Sequence, residues 1–131
     1  MKRASLLLFL GFFSALVLAS CAGGGSGDEA AGVAAAYLNA LVGKNGEQLS
    51  ALSCADWEAQ AVMELDSFQA VSTQLKDVNC ALTSKEEGKS IVTCSGSIIA
   101  SYNGEDMEID LSQRPFVLVK QGGEWQVCGY R

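Results

Sequence analysis

The chain of 131 residues contains no histidine and a single proline, Pro115. The first absence removes the side chain that titrates nearest neutral pH and that most often serves as general base or metal ligand. Its five cysteines never form a Cys-x-x-Cys pair, so the commonest zinc and thiol-redox patterns are missing too. Cations are scarce: 9 Lys and Arg stand against 15 Asp and Glu, a formal charge of −6. That balance argues against nucleic acid as a partner and against electrostatic attraction to anionic lipid. A spanning helix needs ~20 apolar residues, and the apolar run Ala4–Ala19 has 16. What is abundant is Ala, Val, Leu and Ile, with hydrophobic residues at 49%. This composition builds a packed core and does not suit a disordered chain.

Lys2 and Arg3, the run Ala4–Ala19 and the small residues Ala19 and Ser20 form a secretory signal. At its end, Leu18-Ala19-Ser20-Cys21 resembles a bacterial lipobox, ahead of the Gly/Ser-rich Ala22–Gly27. The resemblance to bacterial lipoproteins covers residues 1 to 21. It implies cleavage before Cys21, a diacylglyceryl group on that cysteine, and attachment to the extracytoplasmic face of a bacterial membrane. A single acyl chain binds only marginally, whereas two hold. A plain signal peptide cut nearby, or a short membrane anchor, is the alternative. Cleavage would remove Lys2 and Arg3 and no acid, leaving the mature chain more acidic still. The organisation expected is a signal peptide over 1–20, a lipidated cysteine and tether over 21–27, and one domain over 28–131. Six flexible residues reach about 13 Å, so that domain would sit near the headgroups.

The domain opens with helix signals. Ser26 stands three before Glu29 as a capping box, and Val33, Tyr37 and Leu41 recur at helical spacing, predicting a helix over Asp28–Val42 that stops at Gly43. After Asn45-Gly46 a short helix is expected over Glu47–Ser53. A longer one, from Ala55 or Asp56 to about Val71, carries Trp57, Ala61, Leu65 and Phe68 on one stripe. The period then changes to two, and four strands follow: Leu75–Thr83, Ser90–Tyr102, Met107–Lys120 and Glu124–Tyr130. Asn103-Gly104 marks a tight hairpin, and Pro115 a bulge or an edge. The fold class expected is α+β, with N-terminal helices on a curved four-stranded antiparallel meander.

Four cysteines besides Cys21, in an exported chain, form a disulfide framework with three possible connectivities. Free buried thiols would require the export signal to be wrong. Closing the first hairpin so that Ser84 opposes Ser90 puts Cys80 opposite Cys94. In the last hairpin, Cys128 falls opposite Val117, out of reach of those two, which leaves Cys54 on the helical layer as its partner. The pairs expected are Cys80 with Cys94 and Cys54 with Cys128.

Tyr37-Leu38-Asn39-Ala40-Leu41, then Asn45-Gly46-Glu47-Gln48-Leu49, a tryptophan-bearing helix, and a closing Phe116–Lys120 strand, Gly122-Gly123 turn and Trp125-Gln126-Val127 strand resemble the nuclear transport factor two-like superfamily. Its members share a cystatin-like α+β cone. The resemblance covers residues 28 to 131 and implies a cone fold. Some members are isomerases with carboxylates and tyrosines in an apolar pocket. The counterparts here are Asp66, Tyr37, Tyr102 and Tyr130, in no recognisable catalytic pattern, and no catalytic residue is carried over. Tyr37, Trp57, Asp66 and Tyr102 are the candidate pocket residues. Asn103, Glu105, Asp106, Glu108 and Asp110 lack the glycine and bidentate glutamate of a calcium loop and read as a solvated face that blunts edge pairing. No metal or cofactor is implied. The function expected is a non-catalytic envelope lipoprotein binding an extracytoplasmic protein or small ligand. A small-molecule enzyme using the cone pocket is the alternative, and an inhibitor of secreted hydrolases a third reading.

Overall fold

The structure, a computed structural model, describes residues 26–131. The signal peptide over 1–20 and the lipidation site Cys21 lie outside the described residues. Three helices, α1 (Ser26–Val42), α2 (Gly46–Ala51) and α3 (Ala55–Ser67), precede five strands. These are β1 (Ser72–Glu86), β2 (Lys89–Tyr102), β3 (Glu105–Asp110), β4 (Phe116–Gln121) and β5 (Glu124–Tyr130).

Helix α1 buries Ala30, Ala34, Tyr37, Leu38 and Leu41, the three- and four-residue stripe that its sequence spells. It starts at Ser26, two residues before the expected Asp28, so Ser26 lies inside the helix rather than capping it. Gly27 is likewise part of the fold and not of a tether: a Cβ there would sit 2.8 Å from Leu82 Cδ2. At the other end, Thr73 Oγ1 donates to the Val42 carbonyl at 2.7 Å. Helix α1 thus runs antiparallel along β1, starting at the Leu82 end and finishing at the Thr73 end.

Asn45 caps α2, accepting the Gln48 amide at 3.1 Å. Helix α3 buries Ala61, Leu65 and, at its C-cap, Phe68, but it ends at Ser67 rather than near Val71. Lys44 Nζ donates to the Val71 carbonyl at 2.7 Å and to the Gln69 carbonyl at 3.4 Å, so these acceptors are satisfied outside a helical ladder.

The sheet order is β1-β2-β4-β5, with β3 also paired to β2. The expected third strand, Met107–Lys120, is in fact two, which makes five strands rather than four. Asp110 ends β3 by accepting the Ser112 amide at 2.9 Å over the 3₁₀ turn Leu111–Gln113, and Pro115 has no amide to extend a ladder. Both pieces stay on β2: β3 along Ser97–Tyr102 and β4 along Lys89–Val92.

The sheet bends where β1 carries one extra residue. Lys76 opposes Ser97 and Asn79 opposes Ser95. Gly96 has φ +89°, and a Cβ there would lie 2.5 Å from the carbonyl oxygens of Lys76 and Asp77, so glycine is required. On the concave side, Val92, Cys94, Ile98, Ala100, Leu118 and Val127 join the helical stripes in one core.

Candidate functional site

Two features share one end of the cone: a buried polar network and a pair of adjoining cavities. The network centres on Glu64. Its Oε2 accepts from Tyr130 Oη at 2.8 Å and from Tyr37 Oη at 3.4 Å, and its Oε1 from Arg114 Nη1 at 3.3 Å. Trp57 Nε1 in turn donates to Tyr37 Oη at 3.1 Å. The Arg114 guanidinium stacks 4.0 Å above the Tyr130 ring. Edge contacts join Tyr37 to Phe116 at 5.7 Å and Trp57 to Tyr130 at 5.4 Å. Every polar group of this cluster therefore has a partner within the protein.

Burial, with the Glu64 charge beside it, pushes the Tyr37 hydroxyl up to about 12, and the same two causes raise Tyr130 further. Both tyrosines keep their protons in the folded state when an unfolded tyrosine, with a pKa near 10, has lost its own. The unfolded state then binds fewer protons, and stability falls as pH rises above about 10. Urea midpoints measured between pH 9 and pH 11.5 are expected to fall steeply for the wild type. The slope should be shallower in Tyr37→Phe and in Tyr130→Phe; equal slopes in all three proteins would refute the assignment.

The larger cavity, about 530 Å³, opens between the end of α3 and the β2–β3 hairpin. Phe68, Val71, Ala100 and Ile109 give it apolar walls, Tyr102 and Met107 flank it, and Glu105 brings a carboxylate to it; Asp106 also borders it, but its carboxylate accepts from Ser101 Oγ. A second cavity of about 350 Å³ shares Ser67 and Phe68 with the first and reaches Met63, Glu64 and Arg114. Four large hydrophobic side chains stand exposed among the described residues: Val62 (39%), Met63 (64%), Tyr102 (60%) and Met107 (60%). Three of these four line one cavity or the other.

Of the four candidate pocket residues, only Tyr102 lines the larger cavity. Tyr37 is fully buried and Trp57 half-buried, both held in the Glu64 network. Asp66 is exposed on the solvent side of α3. The carboxylate that faces inward is Glu64, which the sequence reading passed over. Yet Trp57, Ala61, Glu64 and Phe68 stand at helical spacing on one stripe, and that spacing was the available signal.

Three of the four acidic residues of β3 accept from nearby serines. Glu108 accepts from Ser97 Oγ at 2.7 Å, Asp106 from Ser101 Oγ, and Asp110 from Ser112. Among the described residues no group of three or more His, Cys, Asp or Glu is placed to hold a metal. Nor is any described helix long and apolar enough to cross a membrane.

Disulfides join Cys54 to Cys128 and Cys80 to Cys94. Cys94 lies in the core with Cys80 packed against it. Cys54 caps α3 beside the edge of β5, where the Cys54 amide donates to the Val127 carbonyl at 2.9 Å and the Val127 amide to the Leu52 carbonyl at 2.8 Å. The bridge therefore ties the α2–α3 corner to a sheet edge. It does not cross from the helical layer to the sheet face, and Val127 and Trp125 beside it pack with the core.

Helices on a curved antiparallel sheet of this topology define a nuclear transport factor two-like α+β cone. The Aln2 protein of a Streptomyces species shares the fold at 12% identity and a TM-score of 0.55, over 79% of this chain and 85% of that one. A protein of unknown function from Mycobacterium tuberculosis does so at 12% identity and TM-score 0.54, over 76% and 66%. The helical cell shape determining protein Pgp2 of Campylobacter jejuni follows at 9% and 0.50, the chain spanning 38% of its length. No known protein family and no curated protein matches the chain in sequence.

Proposed function

We propose that this chain is a lipid-anchored extracytoplasmic domain that binds an apolar small ligand at the mouth of its cone and does no chemistry on it. The observation that carries this reading is the gathering of exposed Met63, Tyr102 and Met107 around two adjoining cavities, the larger of which has apolar walls. Apolar surface left open to water in one place and rimmed by polar groups is what a binding site requires. The two disulfides support an oxidising compartment, in keeping with the export signal. A non-catalytic role is favoured by the state of Glu64. Its two oxygens accept three protein hydrogen bonds, one from a guanidinium, so it is not presented as a free base.

The start of α1 and the mouth lie at opposite ends of the domain. Helix α1 starts beside Leu82 and, at 1.5 Å per residue, carries the chain about 25 Å toward Val42 and Thr73, the end at which the larger cavity opens. A lipid on Cys21 would leave the mouth facing the aqueous phase.

Two measurements test the reading. The protein extracted from membranes is expected to have an intact mass that starts at Cys21 and includes a diacylglyceryl group; a soluble product with unmodified Cys21 refutes the anchor. For the ligand, Met63 and Met107 are the only methionines after residue 1, so ¹³C-methyl labelling reports on both cavities at once. A neutral aliphatic probe such as 1-octanol is expected to shift the Met107 methyl resonance saturably, at concentrations that leave the core unchanged. A Met107 methyl that stays put refutes the binding site.

A further inference from the structure

From the charges that line the larger cavity, we infer that its ligand is an amphiphilic amine: an aliphatic body with an ammonium head. This rests on the proposal that the cavity binds a ligand. The apolar walls, Phe68, Val71, Ala100 and Ile109, suit an aliphatic body, and a volume of about 530 Å³ lies in the range of single-ligand sites. Among the described residues no cation lines this cavity, whereas Glu105 and Asp106 both do. The Lys44 ammonium, behind the Val71 wall, is bound to the carbonyls of Gln69 and Val71. In the adjoining cavity Arg114 is paired with Glu64, so that pair cancels in charge. Glu105 shares the strand face of Met107 and Ile109, whereas the Asp106 carboxylate accepts from Ser101 Oγ on the other face, so the joined mouth presents one carboxylate without an ion partner, Glu105, against apolar walls. Anionic amphiphiles are repelled there, and an ammonium is attracted more strongly than at an open surface, since apolar walls lower the local dielectric. Exposed Tyr102 adds the face of an aromatic ring, the group that recognises quaternary ammonium.

The test uses the full mature chain carrying Cys21→Ser, so that no attached lipid competes, with ¹³C-methyl methionine as the reporter. Octyltrimethylammonium, 1-octanol and octyl sulfate share one tail and differ in head charge. The ammonium is expected to bind at least about tenfold more tightly than the sulfate, with the alcohol between them, and the gap should narrow as salt rises. In Glu105→Gln, whose fold is checked by its amide spectrum, the gap is expected to close to within about twofold. Equal affinities for the three probes in the wild type, or a gap that survives Glu105→Gln, overturn the ammonium assignment while leaving the apolar site standing. Failure of every probe to shift Met107 overturns both.

Discussion

Replacing Cys54 and Cys128 together by alanine is expected to lower the unfolding free energy by about 4.5 kcal/mol, the loop-entropy figure for a bridge closing some 75 residues. The two cysteines are 74 positions apart, whereas Cys80 and Cys94 are separated by 14, for which the same relation gives about 3 kcal/mol. Domains of this size are stable by only about 5–15 kcal/mol, so losing the longer bridge leaves little in reserve. The native geometry around it does not depend on the sulfurs alone. The paired hydrogen bonds between the Leu52–Cys54 corner and Val127 remain in the variant, so the loss should fall chiefly on the unfolded chain. Urea titration of the two double variants beside the wild type measures this. The Cys54/Cys128 variant should have the lower midpoint, and the reverse order would show that native-state contacts, not loop length, set the value of each bridge.

That Cys80 faces Cys94 was legible in the sequence for an instructive reason. Expected closure put Ser84 opposite Ser90, but in the structure Lys85 opposes Ser90, a slip of one residue toward a tighter turn. An irregularity between Leu82 and Ser84 removes the slip, and Leu82 faces Val92 as expected. Inward-pointing residues therefore fixed the register of the buried stretch, because a one-residue shift would turn the whole apolar set outward. The turn beyond them had no such constraint. The Asn103-Gly104 hairpin, whose backbone demands are written in those two residues, pairs Tyr102 with Glu105, Ala100 with Met107 and Ile98 with Ile109.

What was not legible depended on contacts between distant parts of the chain. The break after Asp110 is carried by a side-chain cap and by Pro115, and both resulting strands still pair with one long partner, which alternation alone does not reveal. In β5 an extra residue between Val127 and Tyr130 lets both face the core, although three positions separate them. Regular alternation would have sent Tyr130 to the opposite face from Val127. That irregularity is what delivers the Tyr130 hydroxyl to Glu64. The site was missed for a related reason: a glutamate on an apolar helical stripe reads as a solvated residue unless its partners, here from β5 and the turn before β4, are known.

Glu64→Ala is expected to destabilise the domain by about 3 kcal/mol, the cost of leaving two tyrosine hydroxyls at the end of the core without their acceptor. The Glu64 side chain is only 12% exposed, and its removal strands the Tyr130 and Tyr37 hydroxyls, while the half-exposed Arg114 guanidinium turns to water. Each stranded donor carries a desolvation cost of its own, of about 1–3 kcal/mol when water cannot reach it. Glu64→Gln keeps an acceptor oxygen and the side-chain volume while losing the charge, and should cost about half as much. Combining Glu64→Ala with Tyr130→Phe should cost less than the sum of the two single changes, since the hydroxyl left without an acceptor in the first is absent in the second. Chemical denaturation of the three variants reads all of this from one experiment. If Glu64→Ala costs less than about 1 kcal/mol, the carboxylate is not committed to holding the end of the cone together, and a side chain so enclosed but so lightly bound would be available for proton transfer in the adjoining cavity.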